Sequence, residues 1–380
     1  MARIAAKNVV IGAGAMGSAA AYHLARRGEP VVLLEQFPIG HDRGSSHGLA
    51  RITRHSYADP AYARLMPDAF RAWRELEAEA CESLYVRTGG VTLCPPGNDY
   101  VARVTASLEM LDVPHRRLTG HELNRANPAF GVADDVDVVF EPDAGMLCAA
   151  KAVRLQVALA RQIGGEKTQV LDNTPVRRID LDGGCPVVVT DVGEFEAERL
   201  IVSAGAWLKR LLPDYPVPVQ VTRQQVLYFR PPDAAPFQIG RLPVFIFKGD
   251  EEGDAFYGMP EFQGLGVKVA RHFGPEFDPD LEDRMVDEEY RGVVREFCRR
   301  TLPALADAPI DLTETCLYTV APDEKFEVDF YPGRTDVMVA SPCSGHGFKF
   351  SCLIGRVLAD LASRGGTDTR IDPWRTSPAN

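Results

Sequence analysis

The stretch Asn8-Val9-Val10-Ile11-Gly12-Ala13-Gly14-Ala15-Met16-Gly17 decides the fold. Its first four residues are a short apolar run, read as a buried strand. Ser18 to Arg27 is Ala-rich and helical, Gly28 ends that helix, and Val31-Val32-Leu33-Leu34 is the next strand, with Glu35 at its end. Strand, glycine turn, helix and strand make a complete βαβ unit. Gly12 permits the tight turn, Gly14 lets the backbone approach a pyrophosphate, and Gly17 lets the helix pack closely on the sheet. The helix N-terminus offers free N–H groups and partial positive charge to phosphates. Glu35 is placed to accept hydrogen bonds from an adenosine ribose, and its carboxylate disfavours a 2′-phosphate, hence NADP. The unit does not by itself separate NAD from FAD, and its bland alternative is a structural glycine turn.

Around this unit the composition is that of an ordinary globular protein. The chain has 380 residues, 45% apolar and 25% charged, too long for one hydrophobic core and expected to form two domains. Lys and Arg total 42 against 53 acidic residues, a net charge of −11, which argues against nucleic acid or an anionic membrane as partner. No apolar run of about 18 residues suggests a membrane span. The N-terminus has no three-part signal peptide. The eight cysteines form no C-x-x-C pair, so neither a zinc site nor a disulfide framework is expected. Reduced thiols in a cytoplasmic protein are the expectation.

Beyond Glu35 the chain reads as loop through Arg54, then as helix over residues 60 to 82, with a strand at Val91-Thr92-Leu93, a helix near 98–111 and another over 146–164. A second buried strand runs from Arg199 to Trp207, and Pro213 to Pro218 marks a crossing between domains. Residues 219 to 320 alternate as a mostly antiparallel sheet, followed within them by a charged helix over roughly 280–301. Strand Asp336 to Ala340, loop Ser341 to Lys349 and a helix from Phe350 close the chain. The fold class is α/β: a Rossmann-like domain over 1–85, 140–215 and 322–380, interleaved with an α+β substrate domain over 86–139 and 216–321.

Three further segments narrow the reading: Gly44-Ser45-Ser46-His47-Gly48 with Arg51-Ile52-Thr53-Arg54-His55; Thr315-Cys316-Leu317-Tyr318-Thr319 with Pro322-Asp323-Glu324; and Ser344-Gly345-His346-Gly347-Phe348-Lys349. With the N-terminal fingerprint they closely resemble the monomeric sarcosine oxidase and N-methyltryptophan oxidase family, in the same order over nearly the whole chain. The resemblance implies FAD, held covalently through a thioether between Cys316 and the flavin 8α position, with Gly205, Gly345 and Gly347 also beside the cofactor. It makes Arg54 and Lys349 a pair that binds the substrate carboxylate, with His346 and Tyr318 beside them. Lys268 matches the lysine near flavin N5 that promotes reaction with oxygen, His47 and Arg51 match residues close to the flavin ring, and Tyr257 and His272 match pocket-lining positions. For His272 and His346 a structural histidine is the competing reading; for Lys268, a strand residue pointing to solvent.

The activity so implied is oxidation of a small N-substituted amino acid, N-methyl or cyclic. A hydride equivalent passes from the C–H next to nitrogen to flavin N5, the imine hydrolyses, and oxygen is reduced to hydrogen peroxide. The expected partners are an amine with a carboxylate and molecular oxygen, with the protein a monomer and no metal involved. Ser46 stands where the family carries a second histidine, Leu49-Ala50 replaces more polar residues, Pro342-Cys343 departs from the family's Gly-Phe, and Phe245 to Asp254 is longer and more acidic. These departures leave open a glycated amino acid or another secondary amine. A dehydrogenase with a different electron acceptor and a non-catalytic flavin-binding subunit are the readings from other classes. An NAD-dependent dehydrogenase leaves the later motifs unexplained.

Overall fold

The computed structural model describes residues 3–251, 253–282, 284–371 and 374. The extreme ends of the 1–85 and 322–380 segments lie outside the described residues.

One eight-stranded sheet carries the nucleotide fingerprint. Its order is Val176–Asp180, Val187–Thr190, Glu194–Val202, Arg3–Ile11, Val31–Leu34, Thr168–Leu171; Val337–Ser341 also pairs with Glu194–Val202, and Glu327–Phe330 pairs with Val337–Ser341. The central strands are parallel, with Val10 opposite both Ile201 and Leu33. Their apolar runs are buried on both faces, as parallel strands under helices require. Helix Ala15–Arg26 is buried at every residue except Arg26, because it lies between helices Ala149–Gly164 and Ser351–Arg364. Only small residues allow that approach: a Cβ on Gly355 would stand 2.4 Å from the Ala19 Cβ.

A second eight-stranded sheet runs Ile310–Val320, Gln220–Phe229, Val267–Arg271, Ala255–Met259, Val244–Lys248, Gly90–Cys94, Asp137–Glu141, Arg116–Thr119. It is antiparallel except where Val244–Lys248 pairs in parallel with Gly90–Cys94. Helix Glu288–Thr301 covers one face, with Phe297 stacked on Phe256 at 4.1 Å between ring centres. A three-stranded sheet, Ala50–Thr53, Gly145–Cys148 and Tyr85–Arg87, adjoins them.

Several elements differ from the sequence expectation. The expected loop to Arg54 contains strand Ala50–Thr53, paired with Gly145–Cys148. The helix expected over 146–164 begins at Ala149, since Met146 to Cys148 belong to that strand. The helix over 60–82 is two helices, Pro60–Ala63 and Met66–Ala80, each beginning with proline at N1 or N2, where a missing N–H costs nothing. The charged helix starts late, at Glu288, where the Asp287 side chain accepts from Tyr290 N and fixes the N-cap. The second buried strand is Glu194–Val202, ending before Ser203.

Candidate active site

A cavity of about 980 Å³ runs from the glycine turn of the first sheet to residues of the second, among them Ile246, Lys248 and Tyr257. That is near the upper end of the roughly 300–1,000 Å³ typical of small-molecule sites. Gly12 and Gly14 line one end. Gly12 sits at φ +91°, and a Cβ there would lie 2.5 Å from Ser203 O. Gly17 is off the cavity wall; a Cβ there would come within 1.8 Å of Gly12 O, so its task is contact between helix and turn. Glu35 is buried and lines the cavity, accepting from Ala13 N at 2.7 Å and Phe37 N at 3.0 Å. Ser46 Oγ accepts from Ala15 N at 3.0 Å, a serine tying the Gly44–Gly48 loop to the helix start. Gly205, at φ +53°, faces open space where a Cβ would point.

The middle of the cavity gathers His47, Arg51, Tyr257 and Tyr318. The Ala50–Thr53 strand presents Arg51, whose guanidinium donates to Ala50 O and Ser45 O at 3.0 and 2.9 Å. Burial opposes the Arg51 charge, but the Cys316 thiol and three surrounding phenols raise its pKa overall. His47 has one ring nitrogen, Nε2, 3.0 Å from Thr315 O, so that nitrogen carries the proton. Its Nδ1 is buried without a partner among the described residues. Burial and then Arg51 lower its pKa to about 4, leaving a neutral ring. Burial pushes the Tyr257 phenol up to about 12.

Lys268 and Cys316 sit behind this wall; neither lines the cavity. Lys268 is 5% exposed, opposite Tyr228 and Met259 in the sheet, with its ammonium 5.8 Å from the Tyr228 ring centre. Burial and then Arg51 lower its pKa to about 8. Cys316 stands opposite Gln224; burial raises its thiol pKa while Arg51 and Lys268 pull it down. The next residues, Leu317 and Tyr318, do reach the cavity. Glu314, two residues earlier, accepts from Tyr228 Oη at 2.7 Å. A Cβ on Gly48 would touch both its carboxylate and the Arg51 guanidinium.

At the far end Arg54 and Lys349 flank one aromatic ring. Arg54 is 4.7 Å and Lys349 5.2 Å from the centre of Tyr57. Lys349 donates to Tyr57 Oη at 2.9 Å and His346 O at 3.0 Å. His346 Nε2 is 3.0 Å from Glu324 O and Nδ1 is 3.1 Å from Tyr57 Oη. With the proton on Nε2, the chain of donors runs Lys349 to Tyr57 to His346 to Glu324. Burial and Lys349 lower His346 to about 3, and burial followed by Arg54 holds Lys349 well below its ordinary value. Nε and Nη1 of Arg54 are buried with no hydrogen-bond partner among the described residues. His272 lines the same end, its pKa lowered to about 4 by burial, then by Lys248. Gly345, at φ +75°, lies where a Cβ would be 2.5 Å from both the His272 and Tyr318 rings, and a Cβ on Gly347 would meet Pro342 O at 1.5 Å.

Sequence reading missed what holds the two residues after Arg54. Glu141, 1% exposed, accepts from His55 N at 2.9 and 3.0 Å, from His55 Nδ1 at 2.6 Å and from Ser56 N at 3.1 Å, with a short bond from Ser56 Oγ. Burial alone would raise its pKa, but the bonds and charge of His55 and the bonds of Ser56 outweigh it and lower the value. An isolated glutamate in a strand gives no signal for this. Tyr57 was legible only as the third residue after Arg54.

A dinucleotide turn beside a buried, cation-lined cavity defines a cofactor-dependent oxidoreductase, and the cradle fits FAD. Gly205 has open space where a Cβ would point, and Glu35 and His47 line the cavity, so an FAD would find room there and polar groups along its length. Residues 7–361 match the family described as DAO, FAD dependent oxidoreductase. The chain is 33% identical over 372 residues to monomeric sarcosine oxidase of Bacillus sp. (strain NS-129), covering 96% of this chain and 94% of that protein. It is 31% identical over 376 residues to N-methyl-L-tryptophan oxidase of Salmonella arizonae, covering 97% and 98%. Among solved structures, L-proline dehydrogenase from P. horikoshii superposes with a TM-score of 0.85 at 22% identity, covering 98% of each chain. The chain therefore belongs to the FAD-dependent oxidoreductase family that includes monomeric sarcosine oxidase and N-methyltryptophan oxidase.

Proposed function

We propose that the chain oxidises a small N-substituted amino acid at the C–H next to nitrogen, with oxygen as the acceptor. One observation carries the reading: two N–H groups of Arg54 are buried without a partner among the described residues, beside a buried Lys349. An unpaired buried cation is costly, and a substrate carboxylate satisfies both groups, with the planar guanidinium fork suited to it. In this reading residues 1–85, 140–215 and 322–380 hold FAD, and residues 86–139 and 216–321 hold the substrate.

Bound FAD supplies the electron sink that accepts the hydride equivalent. The protein residues do the rest. Arg54 and Lys349 anchor the carboxylate, with His346 and Tyr318 alongside. Their positive charge lowers the pKa of the substrate amine and favours the neutral form that can react. Tyr257 and His272, both uncharged at neutral pH, close the pocket without supplying a base. Lys268 would supply a fixed cation that favours reaction of the reduced cofactor with oxygen. Arg51 and His47 would lie beside the flavin ring, and Cys316, one residue before the cavity-lining Leu317, would supply the thiol for a covalent link.

The test is a peroxide-release screen against N-methyl amino acids, proline-like imino acids and glycated amino acids. Carboxylate ligands are titrated in parallel by flavin absorbance. Peroxide from at least one class, and weaker carboxylate binding in Arg54→Ala, are expected. Absence of turnover with all three classes, or unchanged carboxylate affinity in the variant, overturns the reading.

A further inference from the structure

The cavity wall carries a third cation that the carboxylate pair does not use. Lys248 ends strand Val244–Lys248, opposite Ala255 in the sheet. It is half-buried and lines the cavity at the same end as Arg54, His272 and Lys349. Its ammonium stands 5.6 Å from the Phe273 ring centre. Among the described residues no carboxylate lies within ion-pair distance of it. The other charges at this end have tasks or partners. Asp59 caps helix Pro60–Ala63, Asp323 pairs with Lys325 at 3.4 Å, and Arg103 pairs with Asp99 at 3.2 Å. Glu324 is 3.8 Å from His272 Nε2 and beyond ion-pair reach of Lys248.

Lys248 nevertheless acts on the site. After burial it is the largest influence holding His272 down, and it opposes the rise that burial imposes on Glu324. A substrate with one carboxylate matches Arg54 and Lys349 and leaves Lys248 without an ion-pair partner among the described residues. A ligand filling the cavity also strips water from that ammonium, which makes the missing partner more costly.

We propose that Lys248 receives a second, distal carboxylate, so that the preferred substrates are N-substituted amino acids with an acidic side chain. The inference rests on the amine-oxidase reading and names its substrate class. The α-carboxylate stays on Arg54 and Lys349, which fixes the reacting carbon, and the side chain extends along the cavity with its carboxylate toward the Lys248 ammonium.

The test compares N-methyl-L-glutamate with its neutral isostere N-methyl-L-glutamine on the holoenzyme. The expected ratio of kcat/KM, acid over amide, exceeds one. It should fall about tenfold in Lys248→Met, between the effects of exposed and buried ion pairs, and be largely kept in Lys248→Arg. A ratio at or below one in the parent enzyme, or one unmoved by Lys248→Met, overturns the assignment. Binding of glutarate against butyrate, followed by flavin absorbance, gives an independent readout: glutarate should bind more tightly, and Lys248→Met should abolish the difference. Equal binding in the parent enzyme overturns the assignment too. If no amine is turned over yet glutarate is preferred through Lys248, the oxidase reading fails and the distal anion site stands. If neutral N-methyl amino acids are turned over without any acid preference, only the Lys248 assignment fails.

Discussion

Replacing Glu141 with glutamine tests whether Arg54 is held from behind. The carboxylate accepts from two backbone N–H groups, the His55 ring and the Ser56 hydroxyl. Glutamine keeps one acceptor oxygen and turns an NH2 group toward donors that already point inward. Hydrogen bonds to a charged acceptor contribute about 1.5–3 kcal/mol each, and removing one partner of a buried pair costs about 3–5 kcal/mol. A loss of about 3–5 kcal/mol is therefore expected, a large share of the roughly 5–15 kcal/mol that holds a domain folded. Urea unfolding measures it. The pH dependence supplies a sign. The folded pKa of Glu141 lies below its ordinary 4.5, so its contribution is fully present above that value and fades as pH falls through the lower folded pKa. The gap between parent and variant should narrow in acid. Because the same bonds fix the residues after Arg54, KM for the amine should rise more than kcat falls. Parent-like stability together with an unchanged KM would refute the reasoning.

Lys268→Met should slow reoxidation by oxygen far more than reduction by substrate in stopped-flow traces; equal slowing removes its assigned role. With the Lys268 pKa near 8, parent reoxidation should decline as pH rises through about 8, and the variant should lack that titration. Acid-precipitated parent protein should keep its yellow chromophore, whereas Cys316→Ser should release it; a colourless parent pellet removes the covalent link. Gly345→Ala puts a methyl group 2.5 Å from two rings at φ +75°. A strain of about 1–3 kcal/mol should appear as a lower Tm and a raised KM, and a parent-like KM would show that the His272–Tyr318 contact does not shape the pocket.

The nucleotide sheet was legible because its signal is local: Gly12, Gly14, Gly17 and Glu35 all fall within one βαβ unit. Strand Ala50–Thr53 was not, because its partner lies at Gly145–Cys148, and no residue near it announces that pairing. Met146-Leu147-Cys148 failed for a related reason, since a short apolar run reads equally as helix or strand. At the site, Arg54, Lys349 and His346 were found through motif resemblance rather than periodicity. Glu141 and Lys248 escaped both routes. One acts through bonds to residues distant in sequence, and the other sits in the segment Phe245 to Asp254, outside every motif that carried the resemblance.

The close contact of Gly355 with Ala19 has a consequence for biosynthesis. Helix Ala15–Arg26, which carries the phosphate turn, finishes its core only against helix Ser351–Arg364, and strand Glu194–Val202 gains its parallel neighbour from Val337–Ser341. Such pairings of high sequence separation form slowly. The nascent chain therefore leaves Val10 and the alanine face of the first helix incompletely covered until residues 351–364 have been made. Chaperone dependence and cofactor capture should both track that late event, when the two ends of the chain first meet.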